Sequence, residues 1–198
     1  MSHEKRTHAG TVETRKREDA LPTLRGYAAV FNRETVIGGW FRELIEPGAF
    51  AKALDRPDDV RAQFNHDSNF VLGRTTAGTL RLFVDDIGLG YEVDLPDTTY
   101  GRDLAASVDR GDITQSSFMF ETMGEAWDYP PKSSGELPLR RVQDVKLYDV
   151  APVTFPAYAD TSVSARAMEQ AGAVQPPEPP QADPSLALLL LDLDEQQG

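Results

Sequence analysis

The chain has no cysteine. That absence excludes a disulfide framework, a thiol nucleophile and zinc sites built on thiolates, so any chemistry must use oxygen and nitrogen groups. It also has no run of about twenty apolar residues, the length a membrane-spanning helix needs, and its N-terminus is charged where a signal peptide would carry an apolar segment. The expectation is a soluble, cytoplasmic protein without a membrane partner. Positive charge is in deficit: 32 acidic against 20 basic side chains give a formal charge of -12. Such a balance repels nucleic acid phosphates, so DNA or RNA is not an expected partner. No phosphate-binding glycine loop, paired-histidine metal motif or Gly-x-Ser-x-Gly elbow occurs, and the carboxylates lack neighbouring histidines, so no metal or other cofactor is expected.

What is present is enough for one folded body. A length of 198 residues with 40% hydrophobic content suits a single core with appended tails. Residues 1–21 are polar and without period, with Lys5, Arg6, Arg15, Lys16 and Arg17 among them, and read as a flexible leader. Residues 22–166 form the body. Residues 167–198 read as a tail, in which Pro176-Pro177-Glu178-Pro179-Pro180 is an extended linker and residues 186–193 a leucine-rich patch. That patch is either a frayed helix or a peptide that docks in a partner groove.

Within the body, residues 24–31 read as a strand, and Glu46-Pro47-Gly48 precedes a short helix over 49–54 that shares Phe50, Ala53 and Leu54 on one face. Residues 61–66 alternate, which places His66 at the end of a strand on its more apolar face. Residues 79–84 and 89–95 form a hairpin around Asp85-Asp86-Ile87-Gly88. Asp97 is in position to cap a helix that runs to Arg110 and stops at Gly111, and this helix should pack on the sheet. Strands resume over 113–121 and 142–155. The proline-, glycine- and serine-rich loop 129–138 between them could border a substrate cleft.

Three residues in this body suit one another chemically. His66 is the only histidine from Leu24 to Arg166, and imidazole is the side chain best matched to general-base work near neutral pH. Taken alone, a lone histidine is more often a satisfied structural group. Ser117 shares a strand face with Ile113, Gln115 and Met119, whereas Ser116 faces the other way with Phe118 and Phe120; Ser117 is therefore the better candidate for an exposed hydroxyl. Asp149 shares its face with Leu147, Ala151 and Val153, where a carboxylate needs a partner. That partner is either a histidine N–H or an arginine such as Arg140 or Arg141, and Asp144 is a rival for the same role.

The residues around these three resemble the prohead, or capsid-maturation, proteases of tailed bacteriophages, of the Hong Kong 97 type. The resemblance runs from about Leu24 to Ala165. It is carried by Gly26-Tyr27-Ala28-Ala29-Val30-Phe31, Glu46-Pro47-Gly48-Ala49-Phe50, Asn65-His66-Asp67 with Leu72-Gly73-Arg74-Thr75, and Gly88-Leu89-Gly90-Tyr91 with Leu95-Pro96. The Ser117-Phe118-x-Phe120 step and Asp149-Val150-x-x-Val153-Thr154-x-Pro156-Ala157-Tyr158 complete it. Singly these are weak motifs; their order and spacing are specific. The family commonly has glutamate where Asp149 stands, and a small or apolar residue where Ser116 stands.

The resemblance implies an α+β fold, a small and mainly antiparallel β-barrel surrounded by a few helices, like the herpesvirus assembly proteases. It implies a serine endopeptidase with Ser117 as nucleophile, His66 as general base and Asp149 as the acidic third residue, with Arg74 a conceivable contributor at the oxyanion. The implied substrates are the scaffolding region, the major capsid protein and the protease itself, inside the immature shell in the host cytoplasm. A homodimer follows from the herpesvirus analogy alone. The alternative is a catalytically silent β-barrel that serves as an assembly or scaffold partner.

Overall fold

A computed structural model describes residues 3–8, 12–17, 20–55 and 59–154. In chain order the elements are β1 (Glu4–His8), β2 (Val12–Arg17), β3 (Ala20–Val30), β4 (Thr35–Ile37), β5 (Phe41–Ile45), α1 (Ala51–Asp55), β6 (Arg61–Gln63) and β7 (Val71–Arg74). A 3-10 turn (Thr75–Ala77) then leads to β8 (Leu80–Val84), β9 (Gly88–Asp94), α2 (Thr99–Asp109), β10 (Gln115–Asp128) and β11 (Leu139–Val153). The expected tail, 167–198, and the last part of the body lie outside the described residues, as does Pro156-Ala157-Tyr158.

The strands form two sheets. The first has the order β1-β10-β11-β5-β4, with β6 beside β11 and β7 beside β6; the second has the order β2-β3-β9-β8. The 15-residue β11 is the spine of the first sheet. One of its edges pairs antiparallel with β10 from Leu139 to Val153. Its other edge is shared: β5 runs parallel to residues 139–142, and β6 runs parallel to Asp149 and Val150. This division brings β6 to the end of the spine where the site lies.

Apolar residues on the facing sides of the sheets fill the space between them. Phe118 and Phe120 of β10 and Val150 of β11 meet Leu24, Leu89, Tyr91 and Val93 from the second sheet in one buried cluster. Phe50, just before α1, stands edge-on to Phe118 at 5.6 Å and 6.1 Å from Phe31. Helix α2 buries Leu104, Ala105 and Val108 against β2 and β3. Its cap is Thr98, whose side chain accepts from the Gly101 N–H. Asp97, expected as the cap, instead pairs with Arg102. The hairpin around residues 85–88 is as expected, with the Asp85 carboxylate accepting from the Ile87 and Gly88 N–H groups.

The described elements are compatible with the α+β class: strands dominate, with two helices among the described residues. The expected barrel is not formed: among the described residues the two sheets do not close on themselves. Isolated backbone bonds tie them at two corners, Val12 N–H to Thr114 O and Asn32 N–H to Ile45 O, but no ladder follows either bond. The sheets meet through side chains.

The described parts of the first 21 residues, 3–8, 12–17 and 20–21, differ from the flexible leader expected over 1–21: β1 pairs into the first sheet and β2 into the second. The charges that suggest a solvated arm are partly buried. Glu4 and Arg6, two apart and so on one face of β1, enter a cluster with Glu43 and Arg140 in which all four are at least 90% buried. Alternation over five residues of mixed charge is too short a signal to separate a strand from a tail.

Candidate active site

His66 stands in a turn, not at the end of a strand as the alternation predicts. β6 stops at Gln63, and Asn65 and His66 both take left-handed backbone angles, φ 55° and 57°. The Asp67 N–H donates to the Phe64 carbonyl at 3.0 Å, closing a turn with both central residues left-handed, the pattern of type I′. Asn tolerates this conformation better than most residues, whereas His at positive φ is held there by its surroundings. Those surroundings are the end of β11. The Asn65 N–H donates to the Pro152 carbonyl at 3.1 Å, its side-chain amide donates to the Thr154 hydroxyl at 3.1 Å, and its Oδ1 accepts from the Thr154 N–H at 2.8 Å. Phe64 N–H to Phe70 O completes the hairpin into β7.

Ser117 and Asp149 face this turn from β10 and β11. Ser117 pairs with Ala151 and Met119 with Asp149, so Ser117 and Asp149 share a face two residue-steps apart along the sheet. Asp149 is also the backbone partner of Arg61, which sets β6 at the depth where its following turn reaches over both. His66 Nδ1 lies 2.7 Å from Asp149 Oδ1, and His66 Nε2 lies 2.7 Å from Ser117 Oγ.

The protonation pattern follows from the partners. A carboxylate can only accept, so the ring proton facing Asp149 is on Nδ1, and in the neutral ring Nε2 is then an acceptor for the Ser117 hydroxyl. All three groups are buried: the His66 and Asp149 side chains are 5% and 2% exposed, and Ser117 is fully covered, not exposed as its strand face suggests, because β1 pairs beside it. Burial makes the Nδ1–H bond the main compensation for the desolvated Asp149 carboxylate. Asp149 Oδ2 has no hydrogen-bond partner among the described residues.

The alternative partners are engaged elsewhere. Arg140 binds Glu4, Glu43, Glu125 and Thr122, and Arg141 binds Asp128. Asp144 pairs with Lys52, and Arg74 pairs with Asp59 in an exposed bidentate contact. Ser116 points into the space between the sheets, 2.9 Å from the Tyr91 hydroxyl. Burial pushes the Tyr91 phenol up. The loop 129–138 joins the far ends of β10 and β11, eleven residues beyond Ser117 at Asp128. That is about 35 Å along a strand, so the loop does not border the site.

One neighbour was not foreseen in the sequence. β1 pairs with β10 in the register Arg6↔Phe118 and Thr7↔Ser117, and the Ser117 hydroxyl donates to the Arg6 carbonyl at 2.9 Å. The anchors of β1 are ionic. Arg6 Nε is 2.5 Å from Glu43 Oε1, and Arg140 Nη1 is 2.6 Å from Glu4 Oε2. Burial alone would push the Glu4 carboxyl up, but the Arg140 hydrogen bond and the charges of Arg6 and Arg140 outweigh it and hold the carboxyl at about 2.

Comparison with known proteins adds one match: the family model described as caudovirus prohead serine protease covers residues 10–173. No curated protein and no solved structure matches the chain.

Proposed function

This chain belongs to the caudovirus prohead serine protease family, and from that premise we propose that it is an endopeptidase in which Ser117 is the nucleophile, His66 the general base and Asp149 the residue that orients the ring. The observation that carries this reading is the pair of 2.7 Å contacts joining Ser117 Oγ, the two His66 nitrogens and Asp149 Oδ1. As Oγ attacks a peptide carbonyl carbon, its proton passes to His66 Nε2. The imidazolium so formed is stabilised by Asp149, and it returns the proton to the departing amine as the C–N bond breaks. Water then attacks the acyl ester, giving its proton to His66, and Ser117 recovers its own on release of the acid. Preorganised backbone N–H groups are the ordinary source of oxyanion stabilisation in such a site. Arg74, which pairs with the Asp59 carboxylate in an exposed contact, has no role in this reading.

The family places the enzyme in capsid maturation. The finer reading takes the scaffolding region and the major capsid protein as substrates, includes cleavage of the protease itself, and locates the reaction inside the immature shell in the host cytoplasm. Confinement there supplies a high effective concentration of cleavable chains. Kinship with the herpesvirus assembly proteases, and a dimer with it, rests on family resemblance alone.

The test is co-expression of the chain with a capsid protein of the same phage, followed by intact mass. Ser117→Ala should abolish trimming. Trimming that persists in this variant would remove Ser117 as nucleophile, and a wild-type chain that trims nothing would favour the silent assembly partner.

A further inference from the structure

The covered nucleophile sits beside a strand that lies outside the region shared with the family. β1 spans residues 4–8 and the family match begins at residue 10. One edge of β10 belongs to β11, and β1 occupies the other. With β1 in place, Ser117 is fully covered, and no reacting carbonyl carbon can approach Oγ to the distance of about 3–3.5 Å that attack requires.

The hydroxyl proton is also contested. A serine has one, and it is shared between two acceptors: the Arg6 carbonyl at 2.9 Å and His66 Nε2 at 2.7 Å. The nucleophile is activated only when the proton goes to His66. A hydroxyl donating to a carbonyl oxygen presents its proton and not a lone pair to the carbon, so the Arg6–Thr7 bond is held at the nucleophile without being attacked.

An extended peptide joins a sheet by pairing its main chain with an open strand edge, and such an edge beside the nucleophile is where a substrate backbone can bring a carbonyl to Oγ. The Arg6 carbonyl already stands at that point, held in register by Arg6 on Glu43 and Glu4 on Arg140. We propose that the β10 edge over residues 116–120 is the docking edge for an extended substrate segment, that β1 occupies it as a self-strand, and that β1 must undock before Ser117 can be acylated. The proposal rests on the reading of Ser117 as nucleophile.

Its test uses the full chain and its lack of cysteine. Lys5 and Met119 are direct cross-strand partners, and antiparallel partners have a Cα separation of about 4.5–5.5 Å, within disulfide range. The double variant Lys5→Cys/Met119→Cys therefore locks β1 on β10 when oxidised, with the disulfide verified by mass, and releases it when reduced. The readout is the rate at which a fluorophosphonate probe labels Ser117. The oxidised form should label at least tenfold more slowly than the reduced form. Arg6→Ala, which removes one anchor, should label at least threefold faster than wild type.

Equal labelling in the oxidised and reduced states would show that β1 is a fixed part of the sheet and would overturn the proposal. Absence of labelling in the reduced double variant and in Arg6→Ala, with both folded by circular dichroism, would instead remove Ser117 as nucleophile and the proposal with it.

Discussion

At the scale of single residues, the site depends on which atom of His66 carries the proton. Asp149 fixes it on Nδ1 by accepting at 2.7 Å, and an asparagine amide at that position can donate to Nδ1, favouring the other tautomer, in which Nε2 holds the proton and cannot accept. Asp149→Asn should therefore lower kcat by on the order of 10³–10⁴-fold. Asp144→Asn, at a carboxylate that pairs with Lys52, should stay within about twofold of wild type in the same peptide-cleavage assay. The reverse ranking would reassign the orienting carboxylate. The neighbouring serine has a different function. Ser116→Ala should retain fluorophosphonate labelling but lose about 1–3 kcal/mol in denaturant unfolding, because the buried Tyr91 hydroxyl is left without its partner.

At the scale of elements, two devices deliver the three candidate side chains. β10 and β11 set Ser117 and Asp149 through strand alternation and register, which a sequence pattern can show. The device that delivers His66 is a left-handed turn pinned to Pro152 and Thr154, and alternation over 61–66 cannot reveal where such a strand ends. β1 depends on buried charges. The Glu4 carboxyl is lowered from 4.5 to about 2, so the folded state binds its proton less readily than the unfolded state. The stabilisation is then fully present above pH 4.5 and is lost as the pH falls from there through about 2. It amounts to roughly 3 kcal/mol. In urea titrations wild-type stability should fall across this window, and Glu4→Gln should flatten that part of the slope; an unchanged slope would show that Glu4 is not tied down.

At the scale of the whole molecule, stability and site geometry share the contact between the two sheets. Gly73 on β7 lies against the second sheet, where an added Cβ would stand 2.5 Å from Val93 Cγ2 and 3.0 Å from the Thr79 carbonyl oxygen. Gly73→Ala should cost about 1–3 kcal/mol by overpacking, read as a lower unfolding midpoint. Because β7 pairs with β6, the same change should slow Ser117 labelling by displacing the turn that carries His66. The sequence by itself determined the residue types and their faces: one body histidine, a serine opposed to the core-facing Ser116, a carboxylate on an apolar strand face, and the ordered motifs that match one family. These are legible because side-chain chemistry and a period of two are local properties. Tertiary structure alone decided that His66 and not an arginine meets Asp149, that the described strands form two sheets instead of a closed barrel, and that the charged strand β1 lies beside Ser117. Each of these depends on pairing between segments as far as 136 residues apart, as between Glu4 and Arg140, and long-range partners leave no periodic trace in either segment alone.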